Sequence, residues 1–294
     1  MKYEEARKET EKLLLQADVP DAGWDAWCLL EYAIASAEGK KVDRTWYLLN
    51  REEEIPQKTL ECYKQLAQKR KERIPLQHLT GEQEFFGYPF YVNEHVLIPR
   101  QDTEILVEEA LKRKKEGMRI LDMCTGSGCI LLSILKQMRQ AEGVGADISE
   151  KALEVAKKNA QRLQVDASFI QSDLFTNVKG RYNMIVSNPP YIETQVIEGL
   201  MPEVRKHEPR LALDGREDGL YYYRSIISQC PAYLKEGADL LFEIGSGQAE
   251  AVEGLLLDAG FTDICTVKDL AGLDRVVLGT YDGSGRTERK KEHV

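Results

Sequence analysis

The chain has 294 residues, of which 43% are hydrophobic and 30% charged, and its formal net charge is −9. This composition is typical of a globular protein, and no apolar run approaches the about 18 residues of a membrane helix, nor does the N-terminus resemble a signal peptide. We therefore expect a cytoplasmic protein without membrane contact, and the acidic charge argues against a broad nucleic-acid-binding surface.

The first 73 residues carry a helical pattern. Leu60, Tyr63 and Leu66 recur at helical spacing, and charged residues fill the positions between such apolar groups. Trp24 and Trp27 are predicted to pack in a core. Because these segments are too short to be stable alone, residues 1–73 are predicted to form a small helical-bundle domain.

The composition of the sequence changes between residues 74 and 99. Residues 84–92 are aromatic and are interrupted by glycine and proline, a pattern that predicts a β-hairpin. This hairpin is predicted to form a linker, residues 74–99, between two domains. A helix is expected to begin near Asp102, where acidic residues suit a helix N-terminus.

Strands and helices alternate from residue 100 to 282. Helices are predicted from Cys129 to about Gln140 and after Ser149, a good N-cap residue. The alternation predicts a mostly parallel sheet with helices on both faces, and the short final connection requires one antiparallel strand. The polar tail, residues 283–294, is predicted to be disordered. The predicted strands are residues 120–123, 143–148, 168–171, 183–187, 239–244, 264–267 and 275–280.

The apolar run 184–187 stops at Asn188-Pro189-Pro190-Tyr191. Proline fixes φ and cannot donate to a sheet, so the run predicts a buried strand that ends in a rigid loop. Such a loop presents one amide and one aromatic ring at fixed places and can offer hydrogen-bond acceptors to a small planar group. A plain strand-end turn is the alternative interpretation.

A glycine-rich stretch, residues 122–129, lies between the first sheet strand and its helix. Gly126 and Gly128 allow backbone N–H groups to approach a ligand at the carboxyl end of the sheet. A dinucleotide-binding loop would have a third glycine at the position of Leu131. The stretch therefore favours a smaller nucleoside cofactor over a pyrophosphate.

Carboxylates follow the next two predicted strands. Asp147 ends the second strand, where a carboxylate can accept both ribose hydroxyls, and Asp173 and Leu174 end the third, where they can flank an adenine. Taken alone, Asp147 could cap a helix and the glycine stretch could be a turn. At the ends of successive strands, these residues predict one cofactor site.

The combined motifs resemble a known enzyme family. Residues 122–128, Asp147, residues 172–173 and residues 188–191 are similar to the cofactor and Asn-Pro-Pro-Tyr motifs of class I S-adenosylmethionine-dependent methyltransferases. The more specific resemblance, over residues 5–281, is to the peptide chain release factor glutamine methyltransferases, the PrmC/HemK family. It is carried by residues 74–81, 85–90, 96–100 and 207–215 and by the helical N-terminal domain. Cys124 departs from it, since the family usually has glycine there, and Gln101-Asp102 replaces Pro-Glu.

This resemblance implies an α/β fold, Rossmann-like with a mostly parallel seven-stranded sheet, and S-adenosyl-L-methionine as cofactor. It implies methyl transfer to the side-chain nitrogen, N5, of the glutamine in the Gly-Gly-Gln motif of class 1 release factors. The N-terminal helices are expected to bind the release factor, and the protein is expected to act as a monomer without contacting nucleic acid directly. The six cysteines are scattered, and no metal site is expected.

The resemblance also assigns roles to residues. Asn188, Pro189 and Tyr191 are the expected catalytic residues, and residues 188–191 together are expected to bind the substrate glutamine. The expected cofactor-binding residues are Cys124, Thr125, Gly126, Ser127, Gly128, Asp147, Asp173, Leu174 and Asn188.

Three alternatives share some of these motifs. A ribosomal-protein glutamine methyltransferase would have the same loop. A DNA adenine-N6 methyltransferase would have to flip a base and neutralise phosphates, for which this acidic chain offers no evident recognition domain. A catalytically idle translation-factor-binding protein would keep the fold, but the intact Asn188, Asp147 and glycine loop argue against it.

Overall fold

The computed structural model describes residues 1–138 and 140–283, which form two compact units. The first comprises Met1–Glu82 and Met201–His207, and the second comprises Gln83–Leu200 and the chain from Glu208 onward. The first unit thus contains residues 74–82, beyond the predicted helical domain. The predicted tail lies outside the described residues, apart from Gly283.

The helices in chain order are α1 (Tyr3–Leu15), α2 (Ala22–Glu38), α3 (Arg44–Asn50), α4 (Gln57–Lys71), α5 (Leu76–Thr80), α6 (Glu104–Lys112), α7 (Cys129–Gln137), α8 (Glu150–Leu163), α9 (Pro202–His207), α10 (Arg210–Leu213), α11 (Tyr221–Gln229) and α12 (Ala249–Asp258). The strands are β1 (Glu82–Phe85), β2 (Tyr88–Tyr91), β3 (Arg119–Met123), β4 (Glu142–Asp147), β5 (Ser168–Gln171), β6 (Tyr182–Ser187), β7 (Leu234–Glu243), β8 (Phe261–Lys268) and β9 (Asp274–Tyr281).

The first unit is helical, as predicted. Its core includes Trp27, Leu30 and Tyr63, and the Tyr63 hydroxyl donates a hydrogen bond to the Ala26 carbonyl at 2.8 Å. The prediction for Trp24 was wrong, since this side chain is 56% exposed. The Arg44 guanidinium carbon lies 5.6 Å from the Trp24 ring centroid, close enough for a cation–π contact at the surface.

Buried ion pairs join distant parts of the first unit. The Arg70 side chain donates to Asp25 at 2.6 Å and to Glu203 at 2.9 Å, and Arg73 donates to both oxygens of the Glu203 carboxylate at 2.6 Å each. Because a buried charge is costly unless it is paired, these contacts explain why α9 belongs to this unit despite its place in the sequence.

The second unit contains the predicted sheet. Its seven strands have the order β5-β4-β3-β6-β7-β9-β8, and β9 is antiparallel to both of its neighbours while the other pairings are parallel. The mostly parallel seven-stranded sheet and its one antiparallel strand are thereby confirmed. The predicted hairpin is also confirmed, as β1 and β2 form a separate two-stranded sheet.

Helices cover both faces of the sheet. One apolar cluster joins Leu121 and Ile185 to side chains of α11 and α12, and the other joins Ile120 and Met184 to side chains of α6, α7 and α8. Neighbouring residues of one strand enter opposite clusters because strand side chains alternate between faces. Among the residues that the structure describes, no helix is long and apolar enough to span a membrane.

Several predicted boundaries differ from the structure, and two of them have a clear physical reason. Helix α7 ends at Gln137 rather than near residue 140, because Met138 leaves the helical conformation with φ −127° and ψ 68°. Strand β7 begins at Leu234, five residues before the predicted start, and its residues 235–237 are exposed and include Gly237. An exposed polar segment lacks the apolar signal on which strand prediction depends.

Register places the motif residues together. Met123 at the end of β3 pairs with Ala146 of β4 and with Ser187 of β6. The residues that follow these strands therefore meet at one edge of the sheet, where open α/β folds bind ligands.

Candidate active site

A cleft of about 1020 Å³, including its open mouth, lies at this edge within the second unit. It brings together Asn188, Pro190 and all but one of the predicted cofactor-binding residues, namely Cys124, Thr125, Gly126, Ser127, Asp147, Asp173 and Leu174. The predicted site residues Gly128, Pro189 and Tyr191 are not among the described residues that line it. The cleft therefore brings together predicted motif residues that lie up to 66 positions apart in the chain, from Cys124 to Pro190.

The glycine loop has left-handed backbone conformations at alternate residues. The φ angles are 63° at Cys124, 54° at Gly126 and 78° at Gly128. A Cβ on Gly126 would meet no atom within 4 Å, whereas one on Gly128 would lie 3.2 Å from the Ala156 Cβ. Gly126 thus leaves open space on the cleft side and Gly128 permits close packing against α8. Cys124 adopts the conformation that glycine favours, so the departure from the family pattern leaves the turn intact.

Asp147 anchors this loop. Its Oδ2 accepts a hydrogen bond from the Gly126 N–H, and its Oδ1 accepts one from the Ser149 N–H, both at 2.9 Å. Burial raises the pKa of Asp147, and these backbone hydrogen bonds oppose the rise. Each carboxylate oxygen has a further lone pair, so the group can also accept ribose hydroxyls from the cleft.

Asp122 lies beneath the loop and is fully buried. The Thr125 hydroxyl donates to its Oδ2 at 2.6 Å, while its Oδ1 is buried without a hydrogen-bond partner among the described residues. Burial raises the pKa of Asp122 to about 7. Its carboxylate therefore destabilises the fold once it is charged.

We expect Asp122→Asn to change how stability depends on pH. The folded pKa of about 7 exceeds the ordinary value of 3.8, so the folded state binds the extra proton and loses stability as pH rises between these values. The variant has no ionisable carboxyl at this position, so it does not lose this stability. Thermal unfolding should show its melting temperature rising relative to wild type from pH 5 to pH 8. For the control Asp166→Asn, at an exposed position, the melting temperature should follow that of wild type at every pH. The same result for Asp122→Asn would contradict the prediction.

The Asn188 side chain is held by a hydrogen bond from its amide nitrogen. Its Nδ2 donates to the Thr103 hydroxyl oxygen at 3.4 Å, and the hydroxyl of the preceding Ser187 donates to the Met123 carbonyl at 2.6 Å. Because the amide nitrogen contacts protein, Oδ1 is the end left to accept a hydrogen bond from a ligand. The structure thus places this amide in the same cleft as most of the predicted cofactor-binding residues.

Tyr191 lies behind the cleft rather than in its wall. Its hydroxyl donates to Glu243 Oε1 at 3.2 Å, and its ring packs against the apolar core on the α11 and α12 side. Burial raises the pKa of the Tyr191 hydroxyl, and the Glu243 charge adds to the rise. The ring therefore anchors the loop that carries Asn188.

Two other segments, around Gln248 and around residues 213–219, hold the backbone at Tyr191 and Ile192 by hydrogen bonds. Gln248 Nε2 donates to the Tyr191 carbonyl at 3.1 Å and to the Gly219 carbonyl at 3.3 Å. Ile192 exchanges backbone hydrogen bonds with Leu213 and Gly215. A Cβ on Gly219 would lie 2.4 Å from the Tyr191 carbonyl oxygen, closer than real contacts allow. Glycine at this position is thus required by packing as well as by its φ of 70°.

Gly219→Ala is expected to destabilise the protein more than Gly237→Ala. Both glycines have φ near 70°, at 70° and 69°, and alanine there costs on the order of 1 kcal/mol of strain. A Cβ on Gly237 meets nothing within 4 Å, so this variant measures strain alone. The additional clash should lower the free energy of unfolding of Gly219→Ala by at least about 1 kcal/mol more. Equal urea-unfolding midpoints would contradict this account.

Several cleft residues were not predicted individually. Arg100 and Thr103 line the cleft from the segment before α6, and Leu211 and Tyr222 line it from the chain after residue 207. Arg100 donates to the buried Glu208 carboxylate at 2.5 Å. The family-like stretches 96–100 and 207–215 include Arg100, Glu208 and Leu211, but nothing in the sequence indicates Thr103 or Tyr222. Among residues 1–138 and 140–283, no three His, Cys, Asp or Glu side chains converge as metal ligands.

Comparison with known proteins identifies two families. The model of the PrmC N-terminal domain matches residues 5–81, and the model of the methyltransferase small domain matches residues 101–206. The two matches fall on the helical segment and on the first part of the sheet, including the glycine loop and the Asn188 loop.

Two curated relatives match over most of their length. The release factor glutamine methyltransferase of Geobacter sulfurreducens is 43% identical over 250 residues, which are 85% of this chain and 87% of the relative. The release factor glutamine methyltransferase of Caulobacter vibrioides is 40% identical over 271 residues, 90% of this chain and 92% of the relative.

A solved structure supports the fold. A methyltransferase from Pyrococcus furiosus aligns with a TM-score of 0.51 and 16% identity, covering 67% of this chain and 90% of that one. At this identity the likeness concerns the fold alone. The second unit thus shares its fold with this methyltransferase, and the methyltransferase small domain model matches residues 101–206 of the same unit, in agreement with the Rossmann-like methyltransferase fold that the sequence motifs imply.

Proposed function

Because this chain belongs to the release factor glutamine methyltransferase family, we propose that it methylates the glutamine of the Gly-Gly-Gln motif in class 1 peptide chain release factors. S-adenosyl-L-methionine is the methyl donor and the side-chain nitrogen N5 is the acceptor. The observation that carries the proposal is the placement of Asn188, with its Oδ1 free to accept, in the cleft that contains Asp147 and the glycine loop.

The cleft has the donors and acceptors that the cofactor needs. Asp147 would hold the ribose hydroxyls, Asp173 and Leu174 would flank the adenine, and the open side of Gly126 would admit the cofactor to the loop backbone. When bound, S-adenosyl-L-methionine supplies a methyl group activated by a positively charged sulfonium. The apolar lining beside these groups suits the remaining hydrophobic surface of a nucleoside.

Asn188 and Pro189 prepare the acceptor. A glutamine amide is a poor nucleophile because its nitrogen lone pair is delocalised into the carbonyl. Asn188 Oδ1 would accept one of its two N–H groups, and the carbonyl oxygen of Pro189, which lies between the cleft-lining residues Asn188 and Pro190, would accept the other. Both acceptors favour the positive charge that develops on nitrogen in the transition state, and the prolines keep them from moving.

The chemical balance requires no strong base. The sulfonium of the bound cofactor would give up its methyl group to the amide nitrogen as its sulfur–carbon bond breaks, and the methylated nitrogen would then release one proton to solvent. Catalysis is therefore mainly positioning and electrostatic stabilisation by groups held rigidly at the end of β6. Tyr191 contributes by fixing the loop, since its hydroxyl is bound to Glu243.

Mass spectrometry tests the proposal directly. A purified release factor is incubated with the protein and S-adenosyl-L-methionine and then digested, and its peptides are mapped by mass. We expect one added methyl group on the glutamine of Gly-Gly-Gln, and none when that glutamine is replaced in the substrate. If the protein binds S-adenosyl-L-methionine but leaves the release factor unmethylated, the proposed substrate is wrong, and a glutamine in a ribosomal protein becomes the next to test.

The helical first unit is proposed to bind the release factor away from its Gly-Gly-Gln loop. Helix α3 exposes two adjacent leucines, Leu48 at 61% and Leu49 at 79%. Exposed leucines of this size are suited to an apolar contact with a protein partner. The reaction is proposed to take place in the cytoplasm, with the enzyme acting as a monomer and without direct contact to nucleic acid.

The double variant Leu48→Asp, Leu49→Asp tests this binding role. We expect KM for an intact release factor to rise about tenfold, the scale of a lost apolar interface contact. Methylation of a short Gly-Gly-Gln peptide should be unchanged, since the peptide needs only the cleft. Leu270→Asp, which alters a similarly exposed leucine in the second unit, should affect neither substrate. Equal effects on protein and peptide would contradict a docking role for α3.

A further inference from the structure

Arg100 is a cleft residue that the proposed mechanism does not use. Among the described residues that line the cleft, it is the one lysine or arginine, whereas Asp147 and Asp173 contribute carboxyl groups. The Arg100 side chain is 40% exposed, so its guanidinium is neither buried in the core nor fully extended into solvent. A permanently positive group in a cleft of this kind suits an anionic part of a ligand.

The Arg100 guanidinium is held in place by Glu208. Arg100 Nη2 donates to Glu208 Oε1 at 2.5 Å, and the side chain of Glu208 is only 1% exposed. Glu208 Oε2 accepts the hydrogen bond of the Ile98 N–H at 3.3 Å, which ties the carboxylate to the segment before Arg100. Because both oxygens of this buried carboxylate are bound, the ion pair fixes the position of the guanidinium in the cleft.

The ion pair leaves donors of Arg100 for a ligand. A guanidinium has five N–H groups in a planar fork. Within residues 1–138 and 140–283, the hydrogen bond to Glu208 is the only one that the Arg100 side chain donates. The fork matches the two oxygens of a carboxylate, so Arg100 can bind a second carboxylate without releasing the first.

Backbone contacts link Arg100 to the Asn188 side of the cleft. The Thr103 N–H donates to the Arg100 carbonyl at 3.1 Å, and the Thr103 hydroxyl oxygen accepts the hydrogen bond of Asn188 Nδ2 at 3.4 Å. Asp147, the proposed ribose acceptor, ends β4, and β3 lies between β4 and the strand that leads to Asn188. Arg100 is therefore associated with the place of methyl transfer rather than with the ribose.

The structure of the cofactor indicates what a cation would bind there. The sulfur of S-adenosyl-L-methionine is bonded to the methyl group, to the ribose-bearing carbon and to a short chain that ends in a carboxylate and an ammonium group. With the ribose at Asp147 and the methyl group at Asn188, this chain starts on the Asn188 side. Its carboxylate is repelled by Asp147 and Asp173 and attracted by Arg100.

We propose that Arg100, held by Glu208, binds the carboxylate in the amino-acid part of S-adenosyl-L-methionine. The inference rests on the proposed function, which places methyl transfer at Asn188. Contacts at Asp147 and at Arg100 would hold the cofactor on both sides of its sulfur and so restrict the direction of the methyl group. The product S-adenosyl-L-homocysteine keeps this carboxylate and should bind Arg100 in the same way.

Calorimetry with S-adenosyl-L-homocysteine and its carboxamide tests the assignment, since the carboxamide lacks the negative charge but has nearly the same shape. We expect wild type to bind the carboxylate form about 10- to 100-fold more tightly, the scale of hydrogen bonds between charged groups. In Arg100→Gln this preference should fall to about threefold or less. Arg100→Lys keeps the charge without the planar fork and should retain part of the preference.

Arg119→Gln is the matched control. Arg119 also faces a glutamate, with 3.7 Å between its Nε and Glu142 Oε2, but it begins β3, at the opposite end of that strand from the glycine loop. It is not among the described residues that line the cleft, so this variant should prefer the carboxylate form as strongly as wild type does. If Arg100→Gln cannot be purified folded, the double variant Arg100→Gln, Glu208→Gln removes both charges of the pair and should lose the preference in the same way.

The results distinguish the inference from the function on which it rests. Equal affinity of wild type for the two ligands would overturn the assignment without any variant. A full preference in Arg100→Gln would also overturn it, and a raised KM for the release factor in that variant would then place Arg100 in contact with the protein substrate. If wild type has the preference but methylates no release factor, the proposed function is refuted and the carboxylate site stands.

Discussion

Asn188→Ala is expected to lower kcat for release factor methylation by about 10²- to 10³-fold, the scale observed when a positioned polar group at a transition state is removed. The variant loses the acceptor that is proposed to orient the substrate amide, while the predicted cofactor-binding residues 124–127 and Asp147 remain in the cleft. The Kd for S-adenosyl-L-methionine should therefore change much less than kcat. Rapid-quench methylation assays and calorimetry on the same preparation measure the two quantities.

Asn183→Ala is the matched control for this variant. Asn183 lies near the other end of β6, where its side-chain oxygen accepts hydrogen bonds from the Arg119 N–H at 3.0 Å and from Lys235 at 2.9 Å. Its loss affects stability but leaves the cleft groups in place, so kcat should stay close to wild type. Near-normal turnover in Asn188→Ala would show that the amide does not orient the substrate.

The sheet and most of the residues that line the cleft could be predicted because their signals are local. An apolar run that ends in glycine, proline or aspartate marks both a buried strand and the polar group that follows it, as at Asp147 and Asn188. Parallel strands then bring these ends to one edge, so a one-dimensional pattern is sufficient to place the cleft.

The support of the site could not be predicted because it is made by contacts between distant residues. Asn188 is 85 residues from Thr103, and Tyr191 is 52 residues from Glu243. Nothing local distinguishes Thr103 or Glu243 from other polar residues near the ends of helices and strands. Their role depends on which strands become neighbours and in which register.

The same limit applies to the domain boundary. Helix α9 follows the Asn188 loop in the sequence, yet it belongs to the first unit. Glu203 pairs there with Arg70 and Arg73, which lie about 130 residues earlier. Charged residues on a short helix ordinarily predict a solvated surface, so a pairing of this kind leaves no sequence signal.

Asp147→Ala is expected to weaken S-adenosyl-L-methionine binding by about 10- to 150-fold, equivalent to about 1.5–3 kcal/mol for lost hydrogen bonds to a charged group. The variant removes the predicted ribose acceptor and also releases the Gly126 and Ser149 N–H groups that Asp147 now holds. Calorimetry gives the Kd directly.

The control is Asp166→Ala, which removes an exposed carboxylate outside the cleft and should bind S-adenosyl-L-methionine as wild type does. An unchanged Kd in Asp147→Ala would mean that this carboxylate anchors the loop without contacting the cofactor. A weaker Kd with an unchanged melting temperature would assign the loss to ribose contacts rather than to the loop.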